Sequence, residues 1–229
     1  MSALAGIKAL AFDVFGTVVD WREGVAREAR RLVPGVDAHD LADRWRAGYQ
    51  PAMEAVRAAQ RPWVNLDVLN REILDEIQPG LSPGVAAELT LAWHRLDPWP
   101  DVLAGMDRLR RRLTLVPVSN GHIALVVGLS RRADLRWDAV LGAEVSQGYK
   151  PQAKVYDDAA RLLALEPAQV AMVAAHPMDL HAAAARGLRA IYVHRPDEFG
   201  HGADRKRPPP HHFDLQADSF EDLAAKLGL

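Results

Sequence analysis

The chain has 229 residues, of which 49% are hydrophobic, and this is enough to bury an α/β core together with a sizeable insertion. The formal net charge is −2, no basic stripe is visible and cysteine is absent, which argues against a nucleic-acid partner and excludes disulfides, a cysteine nucleophile and thiolate metal ligands. Near the N-terminus only a short apolar run follows the single lysine, so we expect neither a membrane span nor a signal peptide but a soluble, cytoplasmic protein.

The first predicted element is a buried strand at residues 7–12, "IKALAF", which is apolar, short and followed at once by a polar turn. Residues 20–97 then show apolar residues at helical spacing and no convincing strand. Asn65 and Ser82 stand where helix N-caps are favoured, and Pro83 suits a first helical position. We predict helices in this segment at residues 21–32, 38–60, 65–77 and 82–96.

After residue 98 the pattern changes to strands and helices in alternation, joined by short links. This alternation is typical of a doubly wound parallel sheet with right-handed crossovers. The predicted strands lie at 113–120, within 137–144, and at 170–176 and 189–195, and the predicted helices at 102–112, 121–133, 154–164 and 179–188. The polar stretch at 198–212 is rich in glycine and proline and is predicted to be a surface loop.

These elements predict an α/β fold, in which a doubly wound parallel sheet forms a Rossmann-like core and a helical cap is inserted after the first strand. Residues 7–12 belong to the sheet, although the helical segment separates them from the other strands. We therefore place the catalytic core at residues 1–19 and 98–229, and the cap at residues 20–97.

Polar residues stand at or just beyond the carboxyl ends of four predicted strands, where open α/β sheets bind their ligands. In chain order these residues are Asp13, Ser119 with Asn120, Lys150, and His176 with Asp179. Each has an ordinary structural explanation when taken alone: the carboxylates can cap turns or helices, the serine and asparagine suit a turn, the lysine suits a solvated surface and the histidine a structural role. Their occurrence together at neighbouring strand ends favours an active site.

An aspartate at such a sheet edge, with a lysine close by, can serve as a nucleophile. Asp13 needs no base because a carboxylate is already ionised at neutral pH, and the cation of Lys150 keeps it so. Attack on a carbon or a phosphorus centre would form an ester, which water must then cleave with a base such as Asp179 or His176. These residues alone leave both kinds of reacting centre open.

The segments "DVFGT", "SN", the lysine followed by proline, and the acidic loop at Asp179 resemble the four motifs of the haloacid dehalogenase superfamily, over nearly the whole chain. Most members of that superfamily are magnesium-dependent phosphatases with an Asp-x-Asp-Gly-Thr motif, whose second aspartate handles the proton of the leaving group. Here Phe15 stands in its place, and "AAHPMD" offers one carboxylate where the phosphatases usually offer two. Asp13 and Asp179 alone would offer Mg²⁺ few of the oxygen ligands that its octahedral geometry requires. The resemblance therefore implies neither a metal nor another cofactor.

The more specific resemblance is to the 2-haloacid dehalogenase branch, which has an aromatic residue where this chain has Phe15. A halide leaving group needs neither a proton nor a metal. The segment "WRAGYQ" resembles the cap segment of that branch, whose arginine, here Arg46, reaches the halide, and "YKPQAKVY" resembles its lysine–proline segment, with Tyr156 at the end. Without the resemblance, Arg46 is equally a solvated helix residue and Tyr156 an aromatic packed between helix and sheet.

The resemblance implies a reaction in two steps on a small halocarboxylate substrate. Asp13 attacks the carbon that bears the halogen, Lys150 orients Asp13 with the help of Tyr156 and Ser119, and Thr17 hydrogen-bonds Asp13 or its neighbours. The products are a halide and a 2-hydroxy acid with inverted configuration, and the (S) isomer is the favoured substrate. Closure of the cap would exclude bulk water during the first step.

Separate groups bind the two ends of the substrate in this scheme. Arg46 and Asn120 cradle the departing halide. Ser119 and the backbone N–H groups near Val14 and Phe15 hold the substrate carboxylate.

In the same scheme Asp179 activates the water that hydrolyses the ester. The surrounding segment departs from the branch, because many members have Ser-x-Asn where this chain has Ala174 and His176, and an aromatic residue where it has Met178. We expect His176 to compensate by hydrogen-bonding the nucleophile, the lysine or the water.

Two other functions stay open. The first is a phosphatase that dispenses with the second aspartate, which Phe15 and the acid-poor loop disfavour. The second is a non-catalytic relative used for binding or scaffolding, which the joint presence of Asp13, Lys150 and Asp179 disfavours. The resemblance allows a homodimer and leaves the preferred halogen, including fluoride, and the length of the acid open.

Overall fold

The computed structural model describes residues 4–203 and 206–229. The first three residues of the predicted core, and residues 204 and 205 of the loop predicted at 198–212, lie outside the described residues. The described part of that loop is mostly exposed, as predicted. Its first residue is an exception, because Glu198 is fully buried.

A six-stranded sheet forms the centre of the protein. The strands of the described residues are β1 (Ala9–Phe12), β2 (Val19–Asp20), β3 (Asp97–Pro98), β4 (Thr114–Ser119), β5 (Leu141–Gly142), β6 (Val170–Ala174), β7 (Arg189–Val193) and β8 (Leu215–Ala217). The order in the sheet is β5-β4-β1-β6-β7-β8, and each neighbouring pair is parallel. The predicted parallel sheet is confirmed, and so is the place of the first strand within it.

Helices flank the sheet and fill the segment between β2 and β3. Those of the described residues are α1 (Trp21–Leu32), α2 (Ala38–Arg57), α3 (Leu66–Ile77), α4 (Pro83–Thr90), α5 (Val102–Leu109), α6 (Ile123–Ala133), α7 (Ala143–Ser146), α8 (Ala153–Leu162), α9 (Pro177–Ala184) and α10 (Phe220–Lys226), with 3₁₀-helices at Leu91–His94 and Pro167–Gln169. The predicted caps are confirmed, since Asn65 Oδ1 accepts from the N–H of Val68 at 3.2 Å and Ser82 Oγ from that of Val85 at 3.4 Å. In the described ranges, none of these helices has the length and apolarity that crossing a bilayer requires.

The two ends of the helical segment are held together by a short antiparallel pair that the sequence did not predict. β2 and β3 pair through Val19 with Pro98 and Asp20 with Asp97. Strands of two residues are too short to show a period, which is why they were missed. This pairing brings the start and the end of the helical segment together. The boundaries of the cap at residues 20 and 97 stay a prediction.

Side chains alternate between the two faces of β1. Leu10 and Phe12 belong to one buried apolar cluster, and the alanines Ala9 and Ala11 to a second one. The first cluster also contains Trp45 from α2 and other fully buried residues of the helical segment. One face of the sheet therefore shares its core with the helical segment, which places that segment beside the carboxyl end of β1.

Candidate active site

A cavity of about 100 Å³ lies beyond the carboxyl ends of β1, β4 and β6. β1 lies between β4 and β6 in the sheet, so the residues that follow these three strands meet at one place. All the predicted site residues line this cavity except Val14, Thr17 and Ser119. Tyr49, Gln50, Pro151 and Met178 line it as well, although they were not predicted as site residues.

The buried Asp13 carboxylate faces this cavity and is hydrogen-bonded on both oxygens. Oδ1 accepts from Lys150 Nζ at 2.9 Å, and Oδ2 accepts from Thr17 Oγ1 at 2.7 Å and lies 2.9 Å from His176 Nδ1. Burial by itself would raise the pKa of the Asp13 carboxyl, but the charge of Lys150 and the hydrogen bond from His176 outweigh it and hold that pKa well below its usual value. Asp13 is therefore ionised at neutral pH, as a carboxylate nucleophile must be.

Lys150 lies between two carboxylates in the loop before α8. Its Nζ donates to Asp13 and also to Asp179 Oδ2, at 2.5 Å. Its backbone N–H donates to Asn120 Oδ1 at 2.8 Å, which ties this loop to the end of β4. Burial would lower the pKa of Lys150, but the charges of Asp13 and Asp179 raise it above its usual value. The surface explanation for this lysine is wrong, because only 6% of the residue is exposed.

Asp179 lies in the first turn of α9 and does not cap that helix, because His176 occupies the N-cap position. Its Oδ1 accepts from the hydroxyl of Tyr156 on α8 at 2.5 Å. Burial raises the pKa of the Asp179 carboxyl, and the charge of Lys150 only partly offsets this, so Asp179 has a higher proton affinity than Asp13. A carboxylate with a raised pKa is better suited to take a proton from water.

Burial and the neighbouring Asp179 also raise the pKa of the Tyr156 hydroxyl above its usual value. Tyr156 therefore stays protonated and donates to Asp179.

Glu198 belongs to the site, although the sequence placed it in a surface loop. Its Oε1 lies 2.8 Å from His176 Nε2 and accepts from Trp21 Nε1 at 3.3 Å. His176 therefore lies between Asp13 on one side of its ring and Glu198 on the other. A single glutamate in a polar loop carries no local signal of burial, so only the tertiary structure reveals it.

Arg46 reaches the cavity from α2, in the helical segment. Its Cζ lies 4.5 Å from the ring centroid of Tyr49 and 5.6 Å from that of Trp21, which are cation–π distances. Its Nε is buried and has no hydrogen-bond partner among the described residues. A guanidinium in this condition can bind an anion that enters the cavity.

Aromatic rings form the wall of the cavity beside Arg46. Phe15 meets Trp93 at a centroid distance of 5.7 Å and Tyr49 at 6.4 Å. Tyr49 lies one helical turn after Arg46, and that spacing is the signal that could have identified it. Burial raises the pKa of the Tyr49 hydroxyl to about 12, so it remains neutral in this wall.

Three predicted residues support the site from outside the cavity. Thr17 donates to Asp13, as described above, and its Oγ1 accepts from the N–H of Ala175 at 2.9 Å. Ser119 is fully buried, and its Oγ accepts from the N–H of Gly121 at 2.9 Å, which is a turn contact. Val14 is buried, and its carbonyl accepts from the backbone N–H groups that follow at positions 18 and 19.

Comparison with known proteins relates this arrangement to one family. Residues 7–187 match the model of the haloacid dehalogenase-like hydrolases. An L-2-haloacid dehalogenase of known crystal structure is 42% identical in sequence to this chain. The two structures superpose with a TM-score of 0.92, over 97% of this chain and 100% of that one. A defluorinating L-2-haloacid dehalogenase of known crystal structure is 39% identical in sequence, and it superposes with a TM-score of 0.92 over 97% of this chain and 96% of that one. The (S)-2-haloacid dehalogenase 1 of Pseudomonas sp. (strain CBS-3) is 25% identical over 87% of this chain and 91% of the relative.

Proposed function

The chain belongs to the haloacid dehalogenase-like hydrolases, in their 2-haloacid dehalogenase branch, and on this basis we propose that it hydrolyses short (S)-2-haloacids to 2-hydroxy acids through an ester on Asp13. The observation that carries the proposal is the ionised Asp13 carboxylate, which faces a cavity lined by Arg46 and Phe15. Phe15 stands at the position where a phosphatase would need a second acid. The preference for the (S) isomer rests on the relatives, which are described as (S)- or L-2-haloacid dehalogenases.

In the first step Asp13 displaces the halide from carbon 2 of the substrate. Lys150 holds the carboxylate in place and keeps it ionised, while Arg46 and Asn120 receive the departing halide. Arg46 suits this role because it brings a positive charge to the cavity and its Nε lacks a partner among the described residues. The rings of Phe15 and Tyr49 keep that end of the cavity apolar, which strengthens the attraction between the guanidinium and the anion.

The substrate carboxylate is the second recognition point. We assign it to Ser119 and the backbone N–H groups near Val14 and Phe15, at the turn that follows β1. The Ser119 hydroxyl accepts a hydrogen bond from the N–H of Gly121, and a hydroxyl that accepts one hydrogen bond keeps its own O–H as a donor for the substrate carboxylate. A cavity of about 100 Å³ favours acids of two or three carbons.

In the second step water cleaves the ester. Asp179 is the proposed base, since burial raises its pKa and it lies within hydrogen-bond reach of Lys150, which also contacts Asp13. Tyr156 holds one oxygen of Asp179, so the carboxylate keeps a fixed orientation. The reaction then returns Asp13 to its free form.

We propose that neither step uses a metal ion. Mg²⁺ requires several oxygen ligands in octahedral geometry. The acidic oxygens that line the cavity belong to Asp13 and Asp179, and each already accepts a hydrogen bond from Lys150, Thr17 or Tyr156. A bound Mg²⁺ would have to displace these donors and stand beside the lysine cation.

The helical segment at residues 20–97 is the proposed cap. Arg46, Tyr49 and Gln50 line the cavity from α2, whereas the other lining residues lie outside residues 20–97, in the segments that follow the strands of the sheet and in the helices α8 and α9. Movement of α2 away from the sheet would open the cavity, and its return would exclude water during the first step.

The test is halide release from chloroacetate, bromoacetate, fluoroacetate and each enantiomer of 2-chloropropionate, in the presence of a chelator. We expect release from the (S) enantiomer and none from Asp13→Asn. Asp75→Asn is the matched control, because Asp75 is an exposed helix residue paired with Arg71, and it should retain full activity. Mg²⁺-dependent release of phosphate from an aryl phosphate would support the phosphatase instead. Inactivity on every substrate would support the non-catalytic relative.

A further inference from the structure

The two oxygens of the Asp13 carboxylate are in different surroundings. An ionised carboxylate offers about two lone pairs on each oxygen. Oδ2 has two partners, Thr17 Oγ1 and His176 Nδ1, whereas Oδ1 has one partner among the described residues, Lys150 Nζ. Oδ1 therefore keeps a lone pair for the substrate, while both lone pairs of Oδ2 are in use.

On the basis of the function proposed above, we propose that Oδ1 is the attacking atom, that Thr17 and His176 form an oxyanion hole for Oδ2, and that Glu198 positions His176 for this task. In the ester, Oδ1 is bonded to the substrate carbon and Oδ2 is the carbonyl oxygen. The same two donors that hold Oδ2 in the free enzyme then hold the carbonyl oxygen. They stabilise the negative charge that develops there when water attacks.

The electrons and protons balance as follows. A lone pair of Oδ1 forms the bond to carbon 2, and the halide leaves with the electrons of its own bond. Water then attacks Cγ, giving its proton to Asp179, and the C=O electron pair moves onto Oδ2. When that electron pair forms the C=O bond again, the bond between Cγ and Oδ1 breaks and Oδ1 leaves as the hydroxyl oxygen of the product. This oxygen takes the proton from Asp179. The proton left on the Asp13 carboxyl goes to solvent.

Glu198 fixes the ring of His176 from the side opposite Asp13. Nδ1 faces the ionised Asp13 oxygen, which can only accept, so Nδ1 carries a proton. Nε2 lies 2.8 Å from Oε1 of the fully buried Glu198. Gly16 permits this approach, since its φ is +84° and a Cβ there would overlap Oε1 of Glu198. Glu198 lies beyond residues 7–187, the part of the chain that matches the family model.

The test separates the two chemical steps in single-turnover experiments with bromoacetate. Bromide release reports the attack by Oδ1, and the intact mass of the protein reports the ester. Glu198→Gln should release bromide at nearly the wild-type rate but hydrolyse the ester about 10- to 100-fold more slowly, so that the ester accumulates on Asp13. His176→Ala should slow hydrolysis by about 10²–10³-fold, and His176→Gln, which keeps an N–H donor, should recover part of the loss.

The matched control is Glu221→Gln, an exposed glutamate on α10, which should change neither rate. Equal slowing of both steps, or unchanged hydrolysis, in the Glu198 and His176 variants would overturn the inference. If Glu198→Gln does not fold, the two His176 variants test the inference through the ratio of their rates of bromide release and ester hydrolysis. Failure of the wild type to form an ester with any haloacid would instead overturn the proposed function, and this inference with it.

A second cluster of polar side chains lies outside the cavity and joins the helical segment to α6. His94 Nε2 lies 2.9 Å from Asp67 Oδ1, and His122 Nε2 lies 3.4 Å from Asp67 Oδ2. The three ligand atoms all lie within 4.8 Å of one another. His122 is 4% exposed, and Asp67 and His94 are partly buried, so the cluster is sheltered but open to water on one side.

From this geometry we infer that Asp67, His94 and His122 form a binding site for a divalent transition-metal ion such as Zn²⁺. Imidazole nitrogen and carboxylate oxygen are its usual ligands, and three protein ligands leave a fourth position for water. Tetrahedral bonds of about 2.0 Å separate ligand atoms by about 3.3 Å, and the distances from Asp67 to His94 and to His122, 2.9 Å and 3.4 Å, are close to that spacing. The ion would link α3 to the residue that precedes α6 and would stabilise the fold rather than take part in the reaction.

Calorimetric titration of chelator-treated protein with Zn²⁺ tests this site. We expect one ion to bind to the wild type and to raise its melting temperature, and both effects to disappear in Asp67→Asn and His94→Gln. His39→Gln is the control, because His39 forms an exposed pair with Glu23 and should not contribute. Equal Zn²⁺ binding by wild type, Asp67→Asn and His94→Gln, or no binding by the wild type, would overturn the assignment.

Discussion

Replacing Lys150 with methionine would leave Asp13 and Asp179 without the cation that bridges them. Lys150 Nζ lies 2.9 Å from Asp13 Oδ1 and 2.5 Å from Asp179 Oδ2. Methionine has a similar length and fills the same space, but it carries no charge. The variant therefore isolates the electrostatic part of the contact.

The expected loss of stability follows from burial. The side chains of Lys150, Asp13 and Asp179 are 7%, 10% and 9% exposed, so solvent screens their interaction little. Removing one partner of a buried ion pair typically costs about 3–5 kcal/mol, whereas an exposed pair contributes about 0–1 kcal/mol. We expect the free energy of unfolding at neutral pH to fall by about 3–5 kcal/mol.

The loss should depend on pH. In the wild type the pKa of Asp13 is lowered from its ordinary value of 3.8, so its ionised form stabilises the fold above that pH, and this contribution is lost as the pH falls further. In Lys150→Met the burial of Asp13 is no longer offset by the lysine, so its pKa rises. The difference in stability between the two proteins should therefore shrink in acid, and halide release by the variant should shift toward higher pH.

Urea unfolding and halide release, each measured across a series of pH values, test this prediction. Lys154→Met is the control, because Lys154 is exposed on α8, and its stability should change by no more than about 0.5 kcal/mol. A destabilisation of Lys150→Met below about 1 kcal/mol at neutral pH, or one that does not vary with pH, would refute the idea that Lys150 neutralises this pair.

Three further substitutions test other parts of the structure. Arg46→Met should slow halide release by about 10²–10³-fold with little change in stability, because it removes the proposed halide-binding charge. Gly16→Ala should lower the free energy of unfolding, measured in urea, by about 1–3 kcal/mol or more, because the φ of Gly16 is +84° and the added methyl group would overlap Glu198. Trp93→Ala should cost about 3–5 kcal/mol by the same measurement, because the ring is fully buried among other aromatic rings.

Each of these substitutions has a control of the same type. Arg44→Met, on the same helix but paired with Asp40, should leave halide release unchanged. Gly6→Ala shares a positive φ, of +101°, but has open space around it, so a loss as large as that of Gly16→Ala would contradict the role of Glu198. Trp63→Ala removes a partly exposed ring and should cost clearly less than Trp93→Ala.

The fold was largely predictable from local pattern. The apolar runs that form β1, β4, β6 and β7 extend over enough residues to show a period, and the alternation of strands and helices also predicted a strand at the two-residue β5. β2 and β3, of two residues each, and β8, of three, are too short for that. They form because neighbouring segments offer backbone partners, which a single segment does not reveal.

The proximity of Asp13, Lys150, His176 and Asp179 could also be predicted, because parallel strands bring their carboxyl ends to one edge of the sheet. The structure brings these side chains into contact, as the distances to Lys150 and Asp13 show. Their roles in the reaction stay a prediction that the experiments above test.

The sequence by itself determined the parallel sheet, the strand ends that meet at the cavity and the aromatic residue Phe15 in place of an acid, because each is a property of a short continuous segment. Only the tertiary structure decided the burial of Glu198, whose partners His176 and Trp21 are 22 and 177 residues away. A buried polar side chain is tolerated only where partners satisfy it, and those partners come from segments that the chain brings together when it folds.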